Sequence, residues 1–298
     1  MKKHFRVIAF AGLLLFVTVY FAPEVLEIIR NDAFVRSDSQ EEEKENTEQK
    51  EPKVIITGST YQDEHIKITI TEYREYDSSV YVADINLSST DYLQTALAQD
   101  AYGRNVTEKT SEIALEHDAI LAINGDYYSA QEKGYVLRNG IIYRDSISQN
   151  QEDLVIYQDG SFEIITEGEV SADELLQNGA VQILSFGSAL VKKGEIIVTQ
   201  EEEADKEKAG NPRTAIAAVD KLHYLFIVSD GRTNASEGLS LYELAEFAQG
   251  LEAQTVYNLD GGGSATMYFK GEIINNPTAN GKIIQERKVS DIVFIGHS

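Results

Sequence analysis

Four short polar stretches, each closing or opening an apolar run, hold the residues with chemistry to offer. They are Asn124-Gly125-Asp126-Tyr127-Tyr128, Asn211-Pro212-Arg213-Thr214, Ser229-Asp230-Gly231-Arg232, and Asn258-Leu259-Asp260-Gly261-Gly262-Gly263-Ser264-Ala265-Thr266. Loops carried on the ends of a rigid sheet are where binding and catalytic groups concentrate. A single Asp-Gly after a strand is usually only a turn. Three consecutive glycines are different: they give up side-chain packing and conformational entropy, so they imply unusual backbone angles or a close approach to the main chain. The run fits no nucleotide fingerprint, since no G-x-G-x-x-G opens a helix and no G-x-x-x-x-G-K-[ST] is present. Its N–H groups could still form a nest for a phosphate or an oxyanion.

The elements around these stretches are mostly strands. Ile66, Ile68 and Ile70 alternate with polar neighbours, as do Tyr81, Ala83, Ile85 and Leu87 beyond an Asp77-Ser78 turn, which reads as a hairpin. Asn139-Gly140 and Asp159-Gly160 mark two more hairpins. Helices are expected over Thr107 to His117, over Ser171 to Asn178 and from Ser240 to about Gln249, the last two with Ser-x-x-Glu capping-box spacing. In the third, Leu241, Leu244, Ala245, Ala248 and Leu251 fall on one face and belong to the core. Thr255 to Leu259 then reads as a buried strand arriving at the glycines. The fold class expected is α+β: a mixed, mostly antiparallel β-sheet domain with a few packed helices, preceded by a transmembrane helix.

That last helix is read from the N-terminus. Lys2, Lys3 and Arg6 precede an apolar run from Val7 to Ala22 that lacks a small-x-small exit, so residues 1–30 are expected to be an uncleaved membrane anchor. The basic flank puts the N-terminus in the cytoplasm and the remainder outside. Secretion after signal cleavage is the alternative. Residues 31–53 are expected to be an acidic disordered tether, because Ser37 to Lys53 offers no aliphatic or aromatic residue to bury. Residues 54–298 form the folded domain. With 42% hydrophobic residues among 298 the chain has ample core material, and 26 Lys plus Arg against 49 Asp plus Glu give a net charge of −23 at pH 7. This charge excludes nucleic acid as a partner, which would need clustered cations. Zero cysteines exclude disulfides, Cys-ligated zinc and a thiol nucleophile.

Taken together, NPRTAIAAV, IVSDGR, GLSLYELAEFAQGLEAQTVYNLDGGGSATM and ERKVSDIVFI resemble the phosphodiester glycosidase domain, a family that takes in the lysosomal uncovering enzyme and many bacterial cell-surface proteins. The resemblance runs from about Ala122 to Ile295 and more loosely back to His65. Asp126 with two tyrosines, where Gly and Phe are frequent, and Ala265, where Ser is usual, depart from the common pattern. The resemblance implies a hydrolase of sugar-1-phosphodiesters in a cell-wall polymer, exopolysaccharide or glycolipid. Such a reaction passes through an oxocarbenium-like transition state with a weakly basic leaving group, so it asks for phosphate positioning and a carboxylate facing the anomeric carbon. Under that reading Asp260 is the first catalytic candidate, with Asp230 and Asp126 next. Arg213, Arg232 and Arg287 are candidates for phosphate, with Asn124, Asn258, Gly261, Gly262, Gly263, Ser264 and Thr266 as further substrate contacts. No cofactor is required. A divalent cation on Asp126, Asp230 or Asp260 is left open, while the five histidines lack metal-ligand spacing. A non-catalytic polysaccharide-binding or envelope-assembly module and a metal-dependent phosphodiesterase are the competing readings.

Overall fold

The structure, a computed structural model, describes residues 55–56, 59–185, 187–199 and 210–297, all within one unit, Lys50–Ser298. The expected anchor and tether, and the acidic stretch Glu201 to Lys208, lie outside the described residues. No helix among the described residues is long and apolar enough to cross a membrane.

The described residues form the mostly antiparallel α+β domain expected, with its strands divided among three sheets. The largest runs β1 (Ile55–Ile56), β2 (Thr60–Gln62), β3 (Ile66–Glu75), β4 (Ser78–Leu87), β15 (His223–Ser229), β14 (Arg213–Asp220), β16 (Thr255–Asn258), β12 (Ala189–Lys192) and β13 (Glu195–Ile196). The second runs β10 (Phe162–Thr166), β9 (Glu152–Tyr157), β11 (Ala180–Leu184), β7 (Val136–Arg138) and β8 (Ile141–Arg144). The third runs β18 (Glu272–Ile273), β17 (Met267–Phe269), β6 (Leu121–Asn124), β19 (Asp291–Ile295) and β5 (Leu93–Leu97). Pairing within them is antiparallel, and the parallel contact among the described residues is an isolated bridge between Glu167 and Val170.

The period-2 alternation of these strands sorts their side chains between one shared core and three outer layers. Tyr224, Phe226 and Val228 of the first sheet, Leu154 and Ile156 of the second, and Leu121, Ile123 and Val293 of the third meet in the shared core. Their neighbours face outward, where each sheet is covered by a helix. On the first sheet, α3 (Leu241–Gly250) sets Leu244, Ala245 and Ala248 on Ala215, Ala217, Leu225 and Ile227. On the second, α2 (Ala172–Gln177) contributes Ala172 and Leu175, and on the third, α1 (Thr110–Glu116) contributes Ile113 and Ala114. Each buried large aliphatic or aromatic side chain contributes roughly 1.5–3 kcal/mol.

Local signals set the element ends. Ser240 and Glu243 close a complete capping box on α3, while Ser171 makes the first half of one by accepting from the Glu174 N–H. The helix expected from Thr107 starts at Thr110, because Glu108 is still extended and bridged to Val289. Asn139-Gly140 forms the expected two-residue hairpin turn. The β3–β4 turn falls one residue earlier than expected, at Tyr76-Asp77, with both residues at positive φ (48° and 52°) between paired Glu75 and Ser78.

Register brings the polar stretches together. β14 pairs antiparallel with both β15 and β16, so its start at Arg213 lies beside Ser229 at the end of β15 and close to Asn258 at the end of β16. In the third sheet Ile123 faces Met267 and Asn124 faces Ile292, which sets the end of β6 beside the starts of β17 and β19. The chain from Leu259 to Thr266 crosses between these two sheets at that same end.

Gly125 is packed so that a Cβ there would fall inside the buried Asp291 carboxylate, whereas a Cβ on Gly250, at the exposed end of α3, would meet nothing. Gly125→Ala is therefore expected to destabilise by about 2 kcal/mol or more through overpacking. Gly250→Ala should be stabilising by about 0.5–1 kcal/mol from helix propensity. Urea unfolding of both variants checks this, and equal midpoints would refute it.

Candidate active site

The three glycines each have a different neighbour. A Cβ on Gly261 would lie 2.8 Å from the Pro212 carbonyl oxygen, one on Gly262 3.0 Å from Arg232 Nη2, and one on Gly263 3.0 Å from Ala279 Cβ. Gly262 also sits at φ 60° and donates its N–H to Pro212 O at 2.7 Å. The run is thus a tightly packed turn, Gly262–Ser264 in 3₁₀ form, bracketed by two arginines.

Asp260, at the mouth of the turn, accepts from Arg287 Nη2 with both carboxylate oxygens (3.1 and 2.8 Å). Arg287 also donates through Nη2 to Gly261 O and through Nε to Ser264 Oγ. The Asp260 side chain is 14% exposed and that of Arg287 46%, so this pair faces solvent. Arg232, on the other side and also exposed, adopts φ 62° and is held by Asn211 Oδ1 and Ala279 O. These are the predicted residues that the fold gathers at an accessible surface: Asp260, Arg287, Arg232 and Gly261, with Gly262 and Gly263 buried beneath them.

Others stand behind them. Asp230 is 4% exposed, and its oxygens take the Asn275 side-chain amide, the Asn276 N–H and the Asn276 side-chain amide. Arg213 is buried, with Nε donating to Leu239 O. Ser264 and Thr266 are fully buried; the Thr266 hydroxyl and Asn258 Oδ1 have no hydrogen-bond partner among the described residues.

Two of the candidates lie inside the fold. Asn124 is fully buried and its amide is taken up by the protein: its Nδ2 donates to Asp260 O at 2.6 Å, while its Oδ1 accepts from Thr214 Oγ1 and the Thr266 N–H. It fastens the glycine turn to both sheets. Asp126 is 1% exposed and accepts from Tyr128 N–H, Ser185 N–H and Arg138 Nη2. Arg138 is also paired with Asp291, so Asp126 belongs to a buried ion triad beneath the turn. Among the described residues no cluster of three potential metal ligands is present.

The residues missed by sequence reasoning are the partners: Arg138, Asp291, Asn211, Asn275 and Asn276. Arg138 carried a signal, since a lone arginine in an apolar strand must be paired. The asparagines looked like ordinary turn residues.

A family model, phosphodiester glycosidase, matches residues 117–296, the span that holds every one of these groups. The chain belongs to the phosphodiester glycosidase family. Among curated proteins it is 29% identical over 194 residues to human N-acetylglucosamine-1-phosphodiester alpha-N-acetylglucosaminidase, covering 59% of this chain and 36% of that protein. It is 27% identical over 180 residues to the SPbeta prophage-derived uncharacterized protein YomE of Bacillus subtilis, covering 59% of this chain and 28% of the other. The chain thus spans about a third of the length of these relatives. The catalytic domain of the zebrafish N-acetylglucosamine-1-phosphodiester alpha-N-acetylglucosaminidase, auto-inhibited by its pro-peptide, shares the fold with a TM-score of 0.62 and 22% identity, covering 78% of this chain and 83% of that one. In this phosphodiester glycosidase domain the matched span begins just before β6, and β1 to β5 precede it.

Below the site the domain buries more acid than base. Burial pushes the Asp291 carboxyl up to about 8, against the pull of Arg138. Asp153, wholly buried, has no hydrogen-bond donor for either oxygen among the described residues, and burial followed by the adjacent Glu167 carboxylate pushes it up to about 10. Glu167 is itself held by the Tyr135 and Ser148 N–H groups. A neutral Asp153 lying against Glu167 satisfies both groups with one proton.

Asp153 is therefore protonated when folded and ionised when unfolded between about pH 4 and about 10. The native state binds the extra proton, so this contribution is fully present below pH 4 and is lost as pH rises through that window, by up to about 1.4 kcal/mol per unit. Asp153→Asn should flatten the decline and be the more stable protein at pH 9. Urea unfolding at pH 6 and 9 measures it; parallel pH slopes for the two proteins would contradict the assignment.

Proposed function

We propose that this domain hydrolyses a sugar-1-phosphodiester at the anomeric carbon, on the extracytoplasmic face of a membrane to which residues 1–30 anchor it. The observation that carries the reading is one carboxylate, Asp260, paired with the exposed Arg287 guanidinium at a glycine turn whose Gly262 packs against a second exposed guanidinium, that of Arg232. In this reading Arg232 and Arg287 bind the phosphate oxygens and stabilise the charge that builds on them as the sugar–oxygen bond breaks. Because the departing phosphate is a weak base, it needs little protonation. Asp260 faces the anomeric carbon, where it acts as nucleophile or as base for the attacking water, and Arg287 fixes its orientation. Asp230 holds the Asn275-Asn276 wall of the site in place. The uncovering-type reaction of the N-acetylglucosaminidase relatives is the model for the substrate, with the linkage carried by a cell-wall polymer, exopolysaccharide or glycolipid.

Hydrolysis of a synthetic sugar-1-phosphodiester in 18O-labelled water tests this directly. The label should enter the sugar, and Asp260→Asn should lower kcat by about a hundredfold to ten-thousandfold. Label in the phosphate, with activity lost in chelator, would instead establish a metal-dependent phosphodiesterase. Saturable glycan binding without turnover would establish a binding module.

A further inference from the structure

The arginines at this end of the fold are held in two ways. Arg138 is locked between two carboxylates and Arg287 rests on Asp260. Arg232 makes no ion pair among the described residues. Its Nε and Nη2 donate to the neutral amide oxygen of Asn211 at 3.1 and 2.9 Å, and its Nη1 donates to the Ala279 carbonyl at 2.8 Å.

The side chain is nonetheless fixed. Its backbone adopts φ 62°, its N–H donates to Glu237 O at 3.1 Å, and Gly281 packs directly on its carbonyl. Asn211 is fixed in turn by reciprocal backbone bonds with Leu239 and by the close approach of Gly238 to its main chain. On the other side Gly262, which has no side chain, packs against the guanidinium, and Arg232 is exposed to solvent. A bulky arginine in left-handed backbone is uncommon and persists where surrounding contacts impose it, and such strain concentrates at ligand sites.

A carboxylate in place of the Asn211 amide would hold the fork more strongly but cancel its charge. We infer that Asn211 is a positioning residue that fixes Arg232 while leaving its positive charge uncompensated for a phosphate oxygen of the substrate. The identity of the ligand rests on the proposed phosphodiester chemistry, but the binding test does not need turnover.

The order of two variants separates this role from a merely structural one. Asn211→Asp keeps an acceptor oxygen in place, so a structural role predicts that it performs at least as well as Asn211→Ala. Charge sparing predicts the reverse. Calorimetric titration of the full chain with inorganic phosphate should show affinity about tenfold or more weaker in N211D and a few-fold weaker in N211A. KM for a sugar-1-phosphodiester should rise in the same order, with kcat changed less. Phosphate affinity in N211D equal to or better than in N211A would overturn the proposal. Should N211D fail to fold, N211A decides: the slowly exchanging Arg232 Nε–H signal in 15N NMR should be lost and phosphate affinity should fall a few-fold, and retention of either at its original level overturns it. Phosphate binding that follows the predicted order in a protein without turnover would refute the glycosidase reading and leave this one standing.

Discussion

The side-chain amide of Asn124 is the point on which the functional end of the molecule depends. It sits at the end of β6, and it joins to that strand two segments that are far apart in the chain: Thr214 of β14, and the glycine turn, held at both ends through Asp260 and Thr266. Each of its groups replaces a hydrogen bond to water that burial has removed. An unpaired buried amide would cost about 1–3 kcal/mol, so the glycine turn cannot drift away from β6 or β14 without exposing that cost. Asp260 is thereby placed through its own main chain, and its carboxylate is left to Arg287. The two sheets need no direct ladder at this point.

Electrostatics are arranged in tiers around that bolt. The deepest cation, Arg138, is fully enclosed by Asp126 and Asp291, an arrangement in which removing the arginine would leave buried carboxylates without a counter-charge. Arg287 is half compensated and half exposed. Arg232, outermost, is held by neutral oxygens alone. In a chain of net charge −23 this gradient matters, since the long-range field repels an anionic ligand and only a locally uncompensated cation can offset it. The acidic excess also extends inward, where Asp153 is accommodated by giving up its charge.

Much of this was legible in the residues. The Asn139-Gly140 turn, the Ser240 cap and the inward stripe of α3 followed from rules that depend on a few adjacent positions, and the structure keeps them. The convergence of the four polar stretches was legible as a set of strand ends. What escaped were properties fixed by neighbours remote in sequence. Nothing local marks Asn124 and Asp126 as buried, because a polar residue after an apolar strand reads the same whether it faces water or another sheet. The division into three sheets was hidden for a similar reason, since alternation shows that a strand has two faces but not which partner each face meets. The Tyr76-Asp77 turn was missed because a tyrosine at positive φ is imposed by the pairing of β3 with β4 and is not a turn preference of its own.

Backbone strain at the site is likewise set by remote neighbours. Positive φ at Arg232 and Gly262, and the close main-chain packing of Gly231, Gly238 and Gly281, fall within one set of touching loops. Glycine meets such demands at little steric cost, so four of these five positions are explained by their residue type. Arg232 is the exception, and no local preference accounts for it. Its conformation must be held by the surrounding bonds to Glu237, Asn211 and Ala279, of which Asn211 is itself tied by its main chain to Leu239 just before β14. A side chain kept in an unfavourable backbone state by this many bonds is one whose direction matters. The rigid three-sheet core supplies the stability against which that strain is held.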